Sequence, residues 1–199
     1  MICSLPRPTL CLVVGVPASG KTSLAQELVR NIRDASYISK DMIQSCFTSK
    51  ERVSGQTYSM IQGPTFGILV GFAGTQLKLK KHPFVDAPFS VNNWRRDKYS
   101  NWVTPFRDVA KEYDARLAII RCMPPDVDGL RRRIEKRHYE WDKWKLEHWT
   151  EFLKQEPVDF PIEHDDVLEI VTDRPNEKIA GDVLTNYLKA KQITGKSSP

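Results

Sequence analysis

Two glycines five positions apart, Gly15 and Gly20, are followed at once by Lys21, Thr22 and Ser23 in the stretch GVPASGKTS. This is the pattern G-x-x-x-x-G-K-[ST] without exception. A loop that wraps a phosphate must turn its own N–H groups inward, and glycine permits both the dihedrals and the close approach. The helix expected to follow adds the positive end of its dipole. The stretch therefore reads as a phosphate-binding P-loop in which Gly15, Val16, Pro17, Ala18, Ser19, Gly20, Lys21, Thr22 and Ser23 surround a nucleoside triphosphate. Lys21 is expected on the β- and γ-phosphates and the Thr22 hydroxyl on Mg²⁺. The rival dinucleotide fingerprint G-x-G-x-x-G fails, because position 17 is Pro17.

Two aspartates can act beside the γ-phosphate. Asp41 follows a short strand-like stretch, SYIS, and would stand over the same edge as the loop. A carboxylate there can take the proton of an attacking hydroxyl as a general base. It could equally cap a helix starting at Met42. Asp86 ends the run PFVD. Apolar residues closed by an aspartate are the Walker-B form, which orients Mg²⁺ or its water shell; facing the acceptor, or a turn role before Pro88, is the alternative.

In LRRRIEKR, Arg133 and Arg137 share one helix face at i, i+4, beside the apolar positions Leu130 and Ile134. Two such arginines can clamp phosphates and spread transition-state charge. Arg131, Arg132 and Lys136 are expected to face solvent, and a plain basic helix pairing with Glu135 and Glu140 is the competing reading. Trp141, Trp144, Trp149 and Phe152 follow at spacings that suit core packing.

Five strands and the helices between them must position these groups. PTLCLVVG is a continuous apolar run, typical of a buried parallel strand. KTSLAQELVRNIRD is helical by its recurring Leu24, Leu28 and Ile32. Residues 42–62 read as helix broken near 54–56, and 66–81 as a separate helix. Strands are expected at 36–39, 83–88, 115–123 and 165–172, with helix at 104–113, a proline-started helical stretch after Met123, and a closing helix before a loose tail. Strands alternating with helices argue an α/β fold with a mainly parallel five-stranded sheet between two helical layers. Right-handed crossovers then bring the loops after Gly15, Ser39, Asp86, Met123 and Thr172 to one edge.

The 199 residues, 40% hydrophobic and 28% charged, suit a single domain with a full core. A net charge of +5 favours anionic or phosphorylated partners. Cys3, Cys11, Cys46 and Cys122 lack metal-ligand spacing, so a reduced, cytoplasmic protein is expected. No stretch is long enough to span a membrane, and no secretory signal is visible.

Taken together, GVPASGKTS, YISKD, FVDAP and LRRRIEKR…WDKW resemble the small P-loop kinases grouped with polynucleotide 5′-kinase, zeta toxins and chloramphenicol phosphotransferase, over about residues 8–190. The resemblance implies a three-layer P-loop NTPase resembling nucleoside-monophosphate kinases. It implies one kinase domain over 1–190 with a helical lid at about 124–155, and a flexible tail at 191–199. It implies ATP and Mg²⁺ as cofactors, Asp41 as general base, Lys21 as phosphate clamp, Arg133 and Arg137 as lid arginines, and Arg174 in the loop near the adenine. The expected reaction is phosphorylation of a hydroxyl on a small metabolite, nucleoside or antibiotic-like acceptor.

Two other functions compete. A 5′-hydroxyl polynucleotide kinase is motivated by WRRDKYSNW at 94–102 and the lysines at 78–81. A nucleotide-binding ATPase or regulator without an acceptor would want a glutamate after the Walker-B aspartate, and Ala87 stands there. Segments 44–80 and 89–103 are the expected acceptor walls, and 44–80 matches no family pattern.

Overall fold

The run Thr9–Val14 forms strand β1, buried along its whole length. A strand covered on both faces has no use for polar alternation, so its sequence is apolar throughout. The computed structural model describes residues 2–47, 55–89 and 102–190. In chain order after β1 come α1 (Lys21–Asn31), β2 (Ala35–Ser39), α2 (Lys40–Phe47), α3 (Gly55–Lys78), β3 (His82–Asp86), α4 (Thr104–Glu112), β4 (Arg116–Met123), α5 (Val127–Arg137), a 3₁₀ turn (Glu140–Asp142), α6 (Lys143–Glu147), α7 (Trp149–Gln155), β5 (Val167–Val171) and α8 (Asn176–Val183), which runs into a π-helical turn (Leu184–Lys189).

The strands form one parallel sheet in the order β2-β3-β1-β4-β5. Successive side chains point to opposite faces, so each strand feeds two cores. Leu10, Leu12, Val14, Val85, Leu117 and Ile119 meet Phe66, Leu69, Ala73 and Leu77 of α3 and Phe106 and Ala110 of α4. Cys11, Val13, Phe84, Ala118, Ile120 and Cys122 meet Leu24, Ala25 and Leu28 of α1 and Ile179, Ala180 and Val183 of α8. A third, smaller core joins Val16 of the glycine loop to Leu130 and Ile134 of α5 and Phe152 of α7. The three-layer α/β architecture expected from the sequence is therefore present. Among the described residues no helix is long and apolar enough to cross a membrane.

The edge opposite the glycine loop is tied by polar contacts. The Thr9 N–H donates to Nδ1 of buried His82 at 3.2 Å, which requires a neutral ring. Burial holds the His82 pKa below the ordinary histidine range, with Asp34 opposing. Arg116 pairs with Asp166 at 2.7 Å and donates to the carbonyls of Tyr187 and Leu188.

Three local expectations are corrected. The helices read at 42–62 and 66–81 become α2 and a single α3 that starts at Gly55 and passes through Pro64. Pro64 is tolerated because it lies on the exposed side, where the carbonyl that loses its N–H partner can meet water. The stretch after Met123 is not one helix but three, with a 3₁₀ turn, because His138 ends α5 in the left-handed conformation with φ 52°. Trp144, expected in the core, is 40% exposed and stacks on His148. Trp149 and Phe152 do pack, in the small core with Val16, Leu130 and Ile134.

Candidate active site

The register fixes which side chains share the site edge. Val13 of β1 pairs with Asp86 of β3, and Asp86 pairs with Ser39 of β2. Val14 pairs with Arg121 of β4, and Met123 with Val171 of β5. The chain therefore leaves β1, β2, β3, β4 and β5 on one side, as the sequence reading expected.

Gly15 has φ 146°, and a Cβ there would stand 2.5 Å from the Cys122 carbonyl oxygen and 2.6 Å from Ser19 Oγ. Only glycine fits. Gly20, at φ 90°, precedes α1 and accepts from the Leu24 N–H at 3.1 Å. Neither a side-chain cap nor a first-turn acid covers the N–H groups that open α1. An uncapped helix start behind a glycine loop, with Lys21 at its first position, is an anion site. Lys21 Nζ reaches back to the Val16 carbonyl at 3.3 Å, across the loop it is expected to serve. Val16 and Ser19 are buried, Pro17 and Ala18 half-buried, and Thr22 and Ser23 exposed. Beneath the loop, burial pushes the Cys122 thiol up to about 12, so it is an inert packing group.

Asp86 is 3% exposed and lies beside this loop. Its Oδ2 accepts from the Thr22 hydroxyl at 2.6 Å and from the Tyr37 hydroxyl at 2.9 Å. Its Oδ1 is buried, with no hydrogen-bond partner among the described residues. Burial pushes the carboxyl above the ordinary range; Lys21 and the two hydroxyl donors oppose this, and Asp41 adds to it. A threonine hydroxyl and a buried carboxylate in contact, with one oxygen orphaned beside a phosphate loop, is a donor set that fits Mg²⁺. The bond to Thr22 turns Asp86 toward the glycine loop.

Asp41 lies in the first turn of α2, one position inside the helix rather than at the end of the strand. The cap is Ser39, whose Oγ accepts from the Met42 N–H at 3.1 Å. The capping role weighed for Asp41 thus belongs to another residue. Asp41 is exposed to solvent and close enough to Asp86 for the two charges to be felt.

The two arginines on α5 do different things. Arg133 donates from Nη1 to Thr172 Oγ1 at 2.7 Å and from Nη2 to the Thr172 carbonyl. Arg137 pairs with Asp142 at 2.6 Å, and Lys145 pairs with the other oxygen of the same carboxylate. Asp142 is thereby a buried anion shared by two cations, one from α5 and one from α6. Arg131, Arg132 and Lys136 are exposed, as expected, and Arg131 pairs with Glu135 at 3.3 Å. Arg174 pairs with Asp182 at 2.6 Å on the surface of the last loop.

Two residues escaped the sequence reading. Thr172, 4% exposed, bonds through its hydroxyl to the carbonyls of Ser19 at 2.8 Å and Met123 at 3.0 Å while accepting from Arg133. It joins the glycine loop, β4 and α5 at one atom. Tyr37 is the second donor on Asp86. The signal available for both was only their position near the site edge of a strand. The stretch WRRDKYSNW lies outside the described residues except for Trp102, which stacks on Phe89 at 4.4 Å. Lys78, Lys80 and Lys81 precede β3, on the edge opposite the loop.

Comparison with known proteins bears on the fold. Residues 10–156 match the family model described as an AAA domain. The chain belongs to the AAA domain family. No curated protein matches the sequence. Among solved structures, a candidate kinase from Chloroflexus aurantiacus superposes with a TM-score of 0.70 at 19% identity, covering 92% of this chain and 100% of that one. A gluconokinase from Sinorhizobium meliloti gives 0.60 at 15%, covering 98% and 100%. A shikimate kinase from Acinetobacter baumannii, in complex with shikimate, gives 0.55 at 14%, covering 96% and 97%. At these identities the likeness is one of fold: the AAA domain here is a P-loop, kinase-like α/β domain.

Proposed function

We propose that this AAA domain transfers the γ-phosphate of ATP, taken with Mg²⁺, to a hydroxyl of a small acceptor. The observation that carries the reading is the 2.6 Å bond from Thr22 to Asp86 at the mouth of the glycine loop. That pair belongs to a site for a metal-bound triphosphate, and a phosphate site alone would not require it. The kinase character of the solved structures with this fold supports the same reading.

The N–H groups of the loop and of the start of α1 hold the β- and γ-phosphate oxygens, and Lys21 leaves the Val16 carbonyl to join them. Thr22 and Asp86 would hold the metal, which when bound would supply charge neutralisation on the triphosphate. Asp41 takes the proton of the acceptor hydroxyl as that oxygen attacks phosphorus. Arg133 and Arg137 stand on the lid side and offset charge on the transferring group, and Arg174 belongs to the loop on the adenine side. The acceptor enters beside α2 and α3.

Transfer of labelled γ-phosphate from ATP, with Mg²⁺, to two acceptor pools tests this. One pool holds sugars, nucleosides and other small alcohols, and the other holds 5′-hydroxyl oligonucleotides. Label on a small alcohol is the expected result. Label only on oligonucleotides would replace the acceptor class. The lysines once grouped with that reading precede β3, away from the glycine loop. Label released only as free phosphate would make the domain an ATPase.

A further inference from the structure

The Walker-type pair of threonine and aspartate does not account for everything that touches Asp86. Tyr37 is on β2, the edge strand, and its hydroxyl donates to the same carboxylate oxygen that Thr22 uses. Two O–H donors thus converge on Oδ2 from two different elements, α1 and β2. The other oxygen, Oδ1, is enclosed and has no partner among the described residues. This asymmetry is expensive unless something completes Oδ1, since a buried carboxylate oxygen wants a donor or a cation.

We propose that Tyr37 is a positioning residue for the metal: by holding Oδ2 of Asp86 together with Thr22, it fixes the turn of the carboxylate so that Oδ1 is the oxygen offered to the Mg²⁺ shell. The assignment rests on the nucleotide-site reading above. A carboxylate held by one hydroxyl can rotate about its Cβ–Cγ bond and exchange its two oxygens. Held by two from different directions, it has one orientation and needs no rearrangement when the metal arrives. Gln26 of α1 and Ser39 at the end of β2 offset the rise that burial and Asp86 give the Tyr37 pKa, which places both near its oxygen. Ser39 is also the cap of α2, the helix that carries Asp41.

The ring of Tyr37 also packs against the core shared by α1 and α8, so a purely structural role is the rival. Tyr37→Phe keeps the ring and removes the hydroxyl. Binding of a non-hydrolysable ATP analogue to the full chain would be followed by calorimetry across a Mg²⁺ titration. We expect the Mg²⁺ concentration at half-saturation to rise about tenfold, as for loss of a hydrogen bond to a charged group. Analogue affinity without Mg²⁺ should not change, and kcat should recover at high Mg²⁺. In an Asp86→Asn background, Tyr37→Phe should add nothing. Gln26→Ala, at an exposed helix position, should raise the half-saturation value in the same direction by less.

An unchanged Mg²⁺ requirement in both Tyr37→Phe and Gln26→Ala, while the parent protein shows one, would overturn the role of Tyr37 alone. Equal loss of analogue binding with and without Mg²⁺ would make the residue structural and overturn it too. A parent protein whose analogue binding ignores Mg²⁺ would refute the metal-nucleotide site itself, and Tyr37's role with it.

Discussion

Thr172→Val is the most informative single change away from the proposed chemistry. It removes one oxygen and replaces it with a methyl of nearly the same volume. That oxygen donates to the carbonyl of Ser19 at 2.8 Å or of Met123 at 3.0 Å and accepts from Arg133 at 2.7 Å. A neutral bond contributes about 0.5–1.5 kcal/mol and one from a charged donor about 1.5–3 kcal/mol. Arg133 keeps its second bond, to the Thr172 carbonyl, so the lower half of the charged range applies. The loss should be about 2–4 kcal/mol. For a chain of this size that is a fall of about 4–16 °C in melting temperature. Thr172→Ser keeps the hydroxyl and should stay within about 1 kcal/mol of the parent. Thermal and urea unfolding of both variants measure this, and the KM for ATP measures the release of the glycine loop. If Thr172→Val melts with Thr172→Ser and keeps its KM, Thr172 is not the joint described above and the reasoning fails.

Other outcomes follow from the same contacts. Gly15→Ala should cost about 2–5 kcal/mol from positive-φ strain and overpacking, and should abolish nucleotide binding; calorimetry with ATP checks it. Asp41→Asn should lower kcat about 10²–10⁴-fold while ATP affinity holds, since a general base acts in the transition state. His82 has a folded pKa below its unfolded one, so its contribution is fully present above the unfolded value and is lost as pH falls from there toward the folded value. Denaturation between pH 7 and pH 5 should therefore show falling stability, and His82→Gln, which can still accept from Thr9, should flatten that slope.

The glycine loop was legible because everything it needs is local: strand, turn and helix start are contiguous in sequence. Asp86 was legible as a strand end, and its bond to Thr22 followed once β3 lay beside β1. The lid arginines were legible only as a face. Periodicity put Arg133 and Arg137 on one side of α5, but their partners, Thr172 and Asp142, come from a later strand and from the 3₁₀ turn just after the helix. No local pattern distinguishes Thr172 from any other threonine at a strand end. Its role exists because β5 pairs with β4, a contact between residues about 50 apart in sequence. Tyr37 stands in SYIS with nothing local to single it out, for the same reason. The continuity of α3 was missed because Pro64 argues for a break whenever exposure is unknown.

Val16 and Ala18 of the glycine loop also supply apolar surface to a small core, against Leu130 and Ile134 of α5 and Phe152 of α7. A ligand that changes the conformation of the loop must therefore change the floor on which α5 and α7 rest. The two events share one free energy, and the coupling is reciprocal. Substitutions far out on the lid should alter nucleotide affinity without touching nucleotide, and transplanting a lid from another protein of this fold would fail unless position 16 travelled with it.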